Sequence, residues 1–311
     1  MVTYSYEYLK VENLGDFVIQ VSLNRPKKMN ALNDKIWGEI GDVFTRLEED
    51  SDCRVVVLTG EGKHFTSGLD LAGGLTDMMQ VDGGEIARPA RLLRRKILWM
   101  QECFTKIEKV QLTRVFFVQR ACTHFLTISL NKASCVDPSY VDAIYPLSKP
   151  VIAAIHGICF GGGVDIISAC MDTCREYNSA QEVDIGIAAD VGSLNRLPKI
   201  IGNESWLKEI TYTARNFEAK EAYRFDLVSK VHDNQETMMK EVFSLAKTIG
   251  LKSPVAVQGS KVVLNYSRDH TVDESLNFVA TWNSSQLFTE DIMSAGAAVM
   301  MKKPTPPFSK L

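Results

Sequence analysis

The run from Val151 to Asp165, V-I-A-A-I-H-G-I-C-F-G-G-G-V-D, limits the possible folds more than any other part of the chain. Its first five residues are apolar, follow Lys149-Pro150 and read as a short buried strand. Gly161, Gly162 and Gly163 then lead into V-D-I-I-S-A-C-M, where the apolar spacing is helical. A strand that passes through glycines into a helix leaves backbone N–H groups unpaired at the helix start, facing any ligand oxygen placed there. Glycine also lets that backbone come close to a flat group. Asp165 adds a carboxylate beside these donors. Two readings stay open at this level: a tight turn packed on glycine, or a donor site for a ligand.

Strand and helix patterns alternate through the rest of the first two thirds. Residues 6–11 and 17–23 alternate as strands, parted by the turn Asn13-Leu14-Gly15-Asp16. Asn33-Asp34 suits the start of a helix with apolar Ile36, Trp37, Ile40, Val43, Phe44 and Leu47. Residues 54–59 read as a buried strand, and Thr66-Ser67-Gly68-Leu69-Asp70-Leu71 repeats the strand–Gly–helix pattern in weaker form. Residues 73–87 read as a loop. Residues 88–110 predict an amphipathic helix whose basic side is either a solvated face or a contact for a phosphate-bearing ligand. Residues 227–231 read as a last strand, and four helices follow at 238–249, 254–266, 272–287 and 290–301. The expectation is an α/β fold of successive β-β-α turns, with a core over 1–215 and a mostly helical region over 216–311.

Composition removes several function classes. A net charge of -3 gives no basic footprint for nucleic acid. The seven cysteines are scattered without a C-x-x-C pair, which favours reduced thiols over a disulfide framework or a zinc site. No run is long and apolar enough for a membrane span. The N-terminus has neither a signal-peptide apolar region nor an Arg-rich presequence, while Ser309-Lys310-Leu311 reads as a peroxisomal address. A peroxisomal import receptor is therefore an expected partner.

Three acids lie among small and apolar neighbours: Asp165 beside the glycines, Glu182 before V-D-I-G, and Asp190 after I-A-A. Such settings desolvate a carboxyl and raise its pKa from about 4 towards neutrality, which suits proton shuttling. The segments N-R-P-K-K-M-N-A-L-N, H-F-T-S-G-L-D-L, K-P-V-I-A-A-I-H-G-I-C-F-G-G-G-V-D and E-V-D-I-G-I-A-A-D-V-G-S-L-N-R-L-P-K-I-I-G-N carry a resemblance. With them the chain resembles the crotonase (enoyl-CoA hydratase/isomerase) superfamily, and within it looks like the Δ3,5-Δ2,4-dienoyl-CoA isomerases.

The resemblance implies the crotonase spiral with C-terminal helices serving a homotrimer or homohexamer. It implies an acyl-CoA thioester substrate, with CoA as part of that substrate and no separate cofactor or metal. The backbone N–H groups of Leu69 and Gly162 would form an oxyanion hole for the thioester oxygen. Glu182 would exchange a proton at C2 of the acyl chain, Asp190 one at C6, and Asp165 would orient Glu182. Lys28, Met29, Asn30, Ala31 and Leu32, with Thr66, Ser67, Gly68, Asp70, Gly161 and Gly163, would line the substrate. The rival within the family is an enoyl-CoA hydratase, which carries Glu at the position of Asp165 and no acid at that of Asp190. A non-catalytic relative is the rival outside it.

The chain departs from the family pattern twice. Residues 111–147 intervene where the family joins a helix directly to K-P-V-I-A-A, either as a surface insertion or as a retained non-coding segment. Residues 171–181 are shorter than the family's path to Glu182, and one residue of slip would turn a strand's side chains over.

Overall fold

The computed structural model describes residues 2–71, 86–108, 148–174, 178–179 and 182–310. Most of the expected 73–87 loop, the whole 111–147 segment, much of 175–181, and Leu311 lie outside the described residues.

A five-stranded sheet organises the chain. Strands β1 (Leu9–Asn13) and β2 (Val18–Leu23) pair antiparallel. β2 continues in parallel to β3 (Val55–Gly60), then to β4 (Val151–Ile155), then to β6 (Met171–Cys174). Alternation along β3 and β4 sorts their residues onto two faces. Val56, Leu58, Ala153 and Ile155 face the larger core, with Ile36, Trp37, Ile40 and Phe44 of helix α1 (Asp34–Glu49) and Met100, Phe104 and Ile107 of helix α2 (Ala87–Glu108). Val55, Val57, Ile152 and Ala154 face a second cluster with Met238, Val242 and Ala246 of helix α7 (Gln235–Gly250). A strand buried on both faces has to be apolar throughout, and V-V-V-L and V-I-A-A-I are.

Local signals set the helix ends. The Asn33 side chain accepts from the Ile36 N–H at the start of α1. At its far end the buried Lys149 ammonium donates to the carbonyls of Leu47, Glu48 and Asp50. After β4 come the two-residue strand β5 (Cys159–Phe160), helix α3 (Gly162–Ile167), and the short strand β7 (Asn178–Ser179), which pairs with β5. A 3-10 turn (Glu182–Ile185) and helices α4 (Ser193–Arg196), α5 (Glu204–Thr213) and α6 (Ala219–Arg224) follow.

Residues 227–231 do not form the expected strand. Leu227 and Val228 are buried consecutively in the larger core, as in an irregular connection, and only Val231 makes a single bridge. The first strand also starts at Leu9, later than the expected residue 6, because Tyr4 and Tyr6 are held instead by Asp50 and Asp42.

The C-terminal helices α8 (Pro254–Asp269), α9 (Val272–Gln286) and α10 (Glu290–Met300) match the expected spans closely. Lys261 of α8 donates to Ile107 O and to Lys149 O, both at 2.8 Å. The tail then returns to the body. Arg54 donates to Phe308 O and Ser309 O, and Lys310 pairs with Asp52. Among the described residues no helix is long and apolar enough to cross a membrane.

Candidate active site

Two loops that the sequence makes look alike meet above the sheet. Leu32 N donates to Gly68 O and Asp70 N donates to Leu32 O, a parallel bridge around Leu69. In that pattern the Leu69 N–H points away from residue 32. On the other loop Gly162 opens α3, so its N–H has no partner one turn back. The loops touch at their glycines. Gly68 has φ +80°, and a Cβ there would meet Phe160 O at 2.7 Å and Gly161 Cα at 3.5 Å. Only glycine permits this approach.

A cavity of about 300 Å³ opens beside this contact. Ser67, Gly68 and Leu69 form one wall, and Phe160, Gly161, Gly162 and Asp165 another. Trp37 with Leu93, Ile97 and Met100 of α2 makes an apolar side, and Ile185 and Ile187 face it. Glu182 and Asp190 border the same space, so all three acids reach one cavity. Glu182 stands beside the glycine loop: a Cβ on Gly161 would lie 3.3 Å from its Oε1.

The three carboxyls sit in graded environments. Asp165 is 2% exposed, and its Oδ1 accepts the Ser193 N–H at 2.6 Å. Burial pushes its pKa up to about 7; the Ser193 N–H opposes this and the charge of Glu182 adds to it. Glu182 is half-buried, and its Oε2 has no hydrogen-bond partner among the described residues. Burial raises its pKa; a backbone hydrogen bond at Glu182 opposes this and the charge of Asp190 adds to it. Asp190 stands further out at the rim, and burial raises its pKa also. Asp165 and Glu182 repel as anions, so a proton resides on the pair to higher pH than on ordinary carboxyls.

This has a measurable effect on stability. In the unfolded chain Asp165 titrates near 4, and in the fold near 7. The native state therefore holds that proton more tightly, and stability falls as pH rises from about 4 to about 7. Asp165→Asn should remove this slope and gain a few kcal/mol on the wild type at pH 8 relative to pH 4, in urea unfolding at both. Equal slopes for both proteins would refute it.

Several residues expected along the substrate do not line this cavity. Ser67, Gly68 and Gly161 reach the cavity. Thr66 and Gly163 pack against each other behind the wall, since a Cβ on Gly163 would meet Thr66 Cγ2 at 2.5 Å. Lys28 and Met29 are exposed, while Asn30, Ala31 and Leu32 turn inward. The Asn30 amide donates to Glu61 O and His64 O and accepts the Arg25 N–H, so it braces the loop. Asp70 pairs with Arg25 at 2.6 Å, and Arg25 also donates to Ala31 O. Sequence reasoning missed these braces and the apolar side given by α2. The latter was readable, because Leu93, Ile97 and Met100 recur at helical spacing.

Comparison with known proteins agrees with this geometry. A sequence profile described as enoyl-CoA hydratase/isomerase matches residues 14–98 and 132–310, and so spans both loops and all three acids. The protein named Delta(3,5)-Delta(2,4)-dienoyl-CoA isomerase, mitochondrial, from Rattus norvegicus is 45% identical over 99% of this chain and 84% of its own length. The Arabidopsis thaliana protein named as the peroxisomal form is 37% identical, with both chains covered completely. A solved enoyl-CoA hydratase from Bacillus anthracis superposes with a TM-score of 0.74 at 24% identity, covering 97% of this chain and 99% of that one, and shares the fold. From profile and full-length relatives together, the chain belongs to the enoyl-CoA hydratase/isomerase (crotonase) family.

Proposed function

We propose that this protein converts 3,5-dienoyl-CoA thioesters to 2,4-dienoyl-CoA in fatty acid β-oxidation. The observation that carries the reading is the meeting of three carboxyls and two outward N–H groups at one cavity with an apolar side. The thioester oxygen lies between the Leu69 and Gly162 N–H groups, which hold the negative charge as an enolate develops. Glu182 takes the proton at C2. Charge then spreads along the conjugated chain, and Asp190 delivers a proton at C6. Asp165 stands behind Glu182 and sets its charge and orientation. One proton enters and one leaves, so the reaction balances without a metal or redox cofactor, and CoA enters as part of the substrate.

An enoyl-CoA hydratase needs acids to activate and split one water near C2 and C3, with no acid required at the far end. Asp190 at the outer rim favours the isomerase. The test is to give the purified protein a 3,5-dienoyl-CoA and follow the absorbance of the conjugated 2,4-dienoyl thioester. Turnover that Asp190→Asn abolishes is expected. Hydration of a 2-enoyl-CoA in place of isomerisation would overturn the reading.

The assembly belongs to the same proposal. Leu264, Leu276, Met293 and Met300 on the C-terminal helices, and Phe288 in the link between the last two, are exposed apolar residues suited to burial in a homotrimer or homohexamer. The location proposed is the peroxisome, through an import receptor reading Ser309, Lys310 and Leu311. The peroxisomal relative supports it. The rat relative is named mitochondrial.

A further inference from the structure

The turn that carries Asp190 is held from behind by one stripe of α2. Gln101, Thr105 and Glu108 are spaced four and three residues apart, and so share a helix face. Gln101 Nε2 donates to Asp190 O at 2.6 Å. Glu108 accepts from Arg196 Nε at 2.5 Å, Thr105 Oγ1 accepts from Arg196 Nη2 at 3.2 Å, and Arg196 Nη1 reaches Val191 O at 3.5 Å. Arg196 and Glu108 are both buried, and Arg268 of α8 also pairs with Glu108. In front of the turn, the Ser193 N–H holds Asp165. A second cavity of about 270 Å³ lies behind it, lined by Gln101, Thr105, Val191 and Arg196 among others. Side-chain packing therefore leaves space there, and polar contacts fix the backbone.

We propose that Gln101 is a positioning residue for Asp190, and that the Arg196–Glu108 pair locks the same turn from its other end. The proposal rests on the reading of Asp190 as the distal proton donor. A carboxylate at the rim is aimed by its backbone, and Gln101 grips the carbonyl of that very residue. Glu182 is carried by a different segment, the 3-10 turn, so chemistry at C2 does not depend on Gln101. Losing the Gln101 contact separates the two halves of the reaction.

The experiment uses the full-length protein with Gln101→Met, which keeps the side-chain length and removes the N–H donor. In D2O, exchange at C2 of a 3,5-dienoyl-CoA is followed by NMR and isomerisation by absorbance. Isomerisation should fall roughly 10- to 100-fold in kcat, as a misplaced catalytic group does, with KM little changed and C2 exchange retained. Arg196→Lys, which keeps the charge facing Glu108 but loses the reach to Val191 and Thr105, should give the same split in weaker form. Asp190→Asn run in parallel separates the two layers of inference. Its loss of isomerisation with retained C2 exchange supports the acid assignment whatever Gln101→Met does. Gln101→Met behaving as wild type, or losing exchange and isomerisation together, overturns the positioning role. Asp190→Asn with unchanged isomerisation overturns the acid assignment and the positioning role with it.

Discussion

Glu182→Gln is expected to lower kcat/KM for dienoyl-CoA isomerisation by roughly 10²- to 10⁴-fold, the range supplied by a positioned general base. Glutamine keeps the shape and fills the same space beside Gly161, but it has no lone pair basic enough to take the C2 proton. The native carboxylate is well prepared for that task. Its Oε2 is buried without a hydrogen-bond partner among the described residues, and the backbone hydrogen bond at Glu182 offsets only part of what burial does to its basicity. Burial and Asp190 raise its pKa, which brings proton affinity closer to that of a working base near neutral pH. The same substitution should stop deuterium exchange at C2, unlike Asp190→Asn. A fall of less than about tenfold in stopped-flow turnover would remove Glu182 from the base role.

Gly68→Ala should cost about 10²- to 10³-fold in kcat, comparable with loss of one oxyanion-hole donor. The added methyl would stand 2.7 Å from Phe160 O, a backbone atom with no rotamer to change. The two loops would have to separate, and the Leu69 and Gly162 N–H groups would no longer converge on one oxygen. Gly15→Ala is the control. Gly15 has the same φ of +80° but open space where its Cβ would go, so only backbone strain is introduced, far from the cavity. Unchanged activity in Gly15→Ala and a large loss in Gly68→Ala would isolate the contact between loops. Equal activity in both would show that the N–H pair tolerates displacement, and would count against its part in stabilising the enolate.

The strand–Gly–helix stretch was legible because its signals are local and mutually consistent. An apolar run, three glycines and a helical apolar period all specify one path from β4 into α3. Glu182 was harder to place. The concern was a slipped strand, yet Glu182 starts a 3-10 turn, where strand alternation does not decide which way a side chain points. Residues 28–32 read as substrate contacts through the resemblance, and nothing in the sequence shows that Asn30 also braces the loop. Its amide goes to two distant carbonyls, and a carbonyl's location leaves no mark in the sequence. Gln101 was invisible for the same reason. In the helix pattern it is one more polar residue, and its partner is the backbone of residue 190. Residues 227–231 misled by composition: apolar residues filling an irregular connection resemble a short strand when no partner strand is known.

Lys261 bears on how a lineage can lengthen this chain. Its single ammonium grips Ile107 O and Lys149 O, so the two points where the chain leaves α2 and enters β4 are stitched together by a third element. Residues joined between stitched points add mainly loop-closure entropy, and each doubling of such a loop costs only about 0.6 kcal/mol. A change in the length of chain between these two points is expected to leave the end of α2 and the start of β4 where Lys261 holds them.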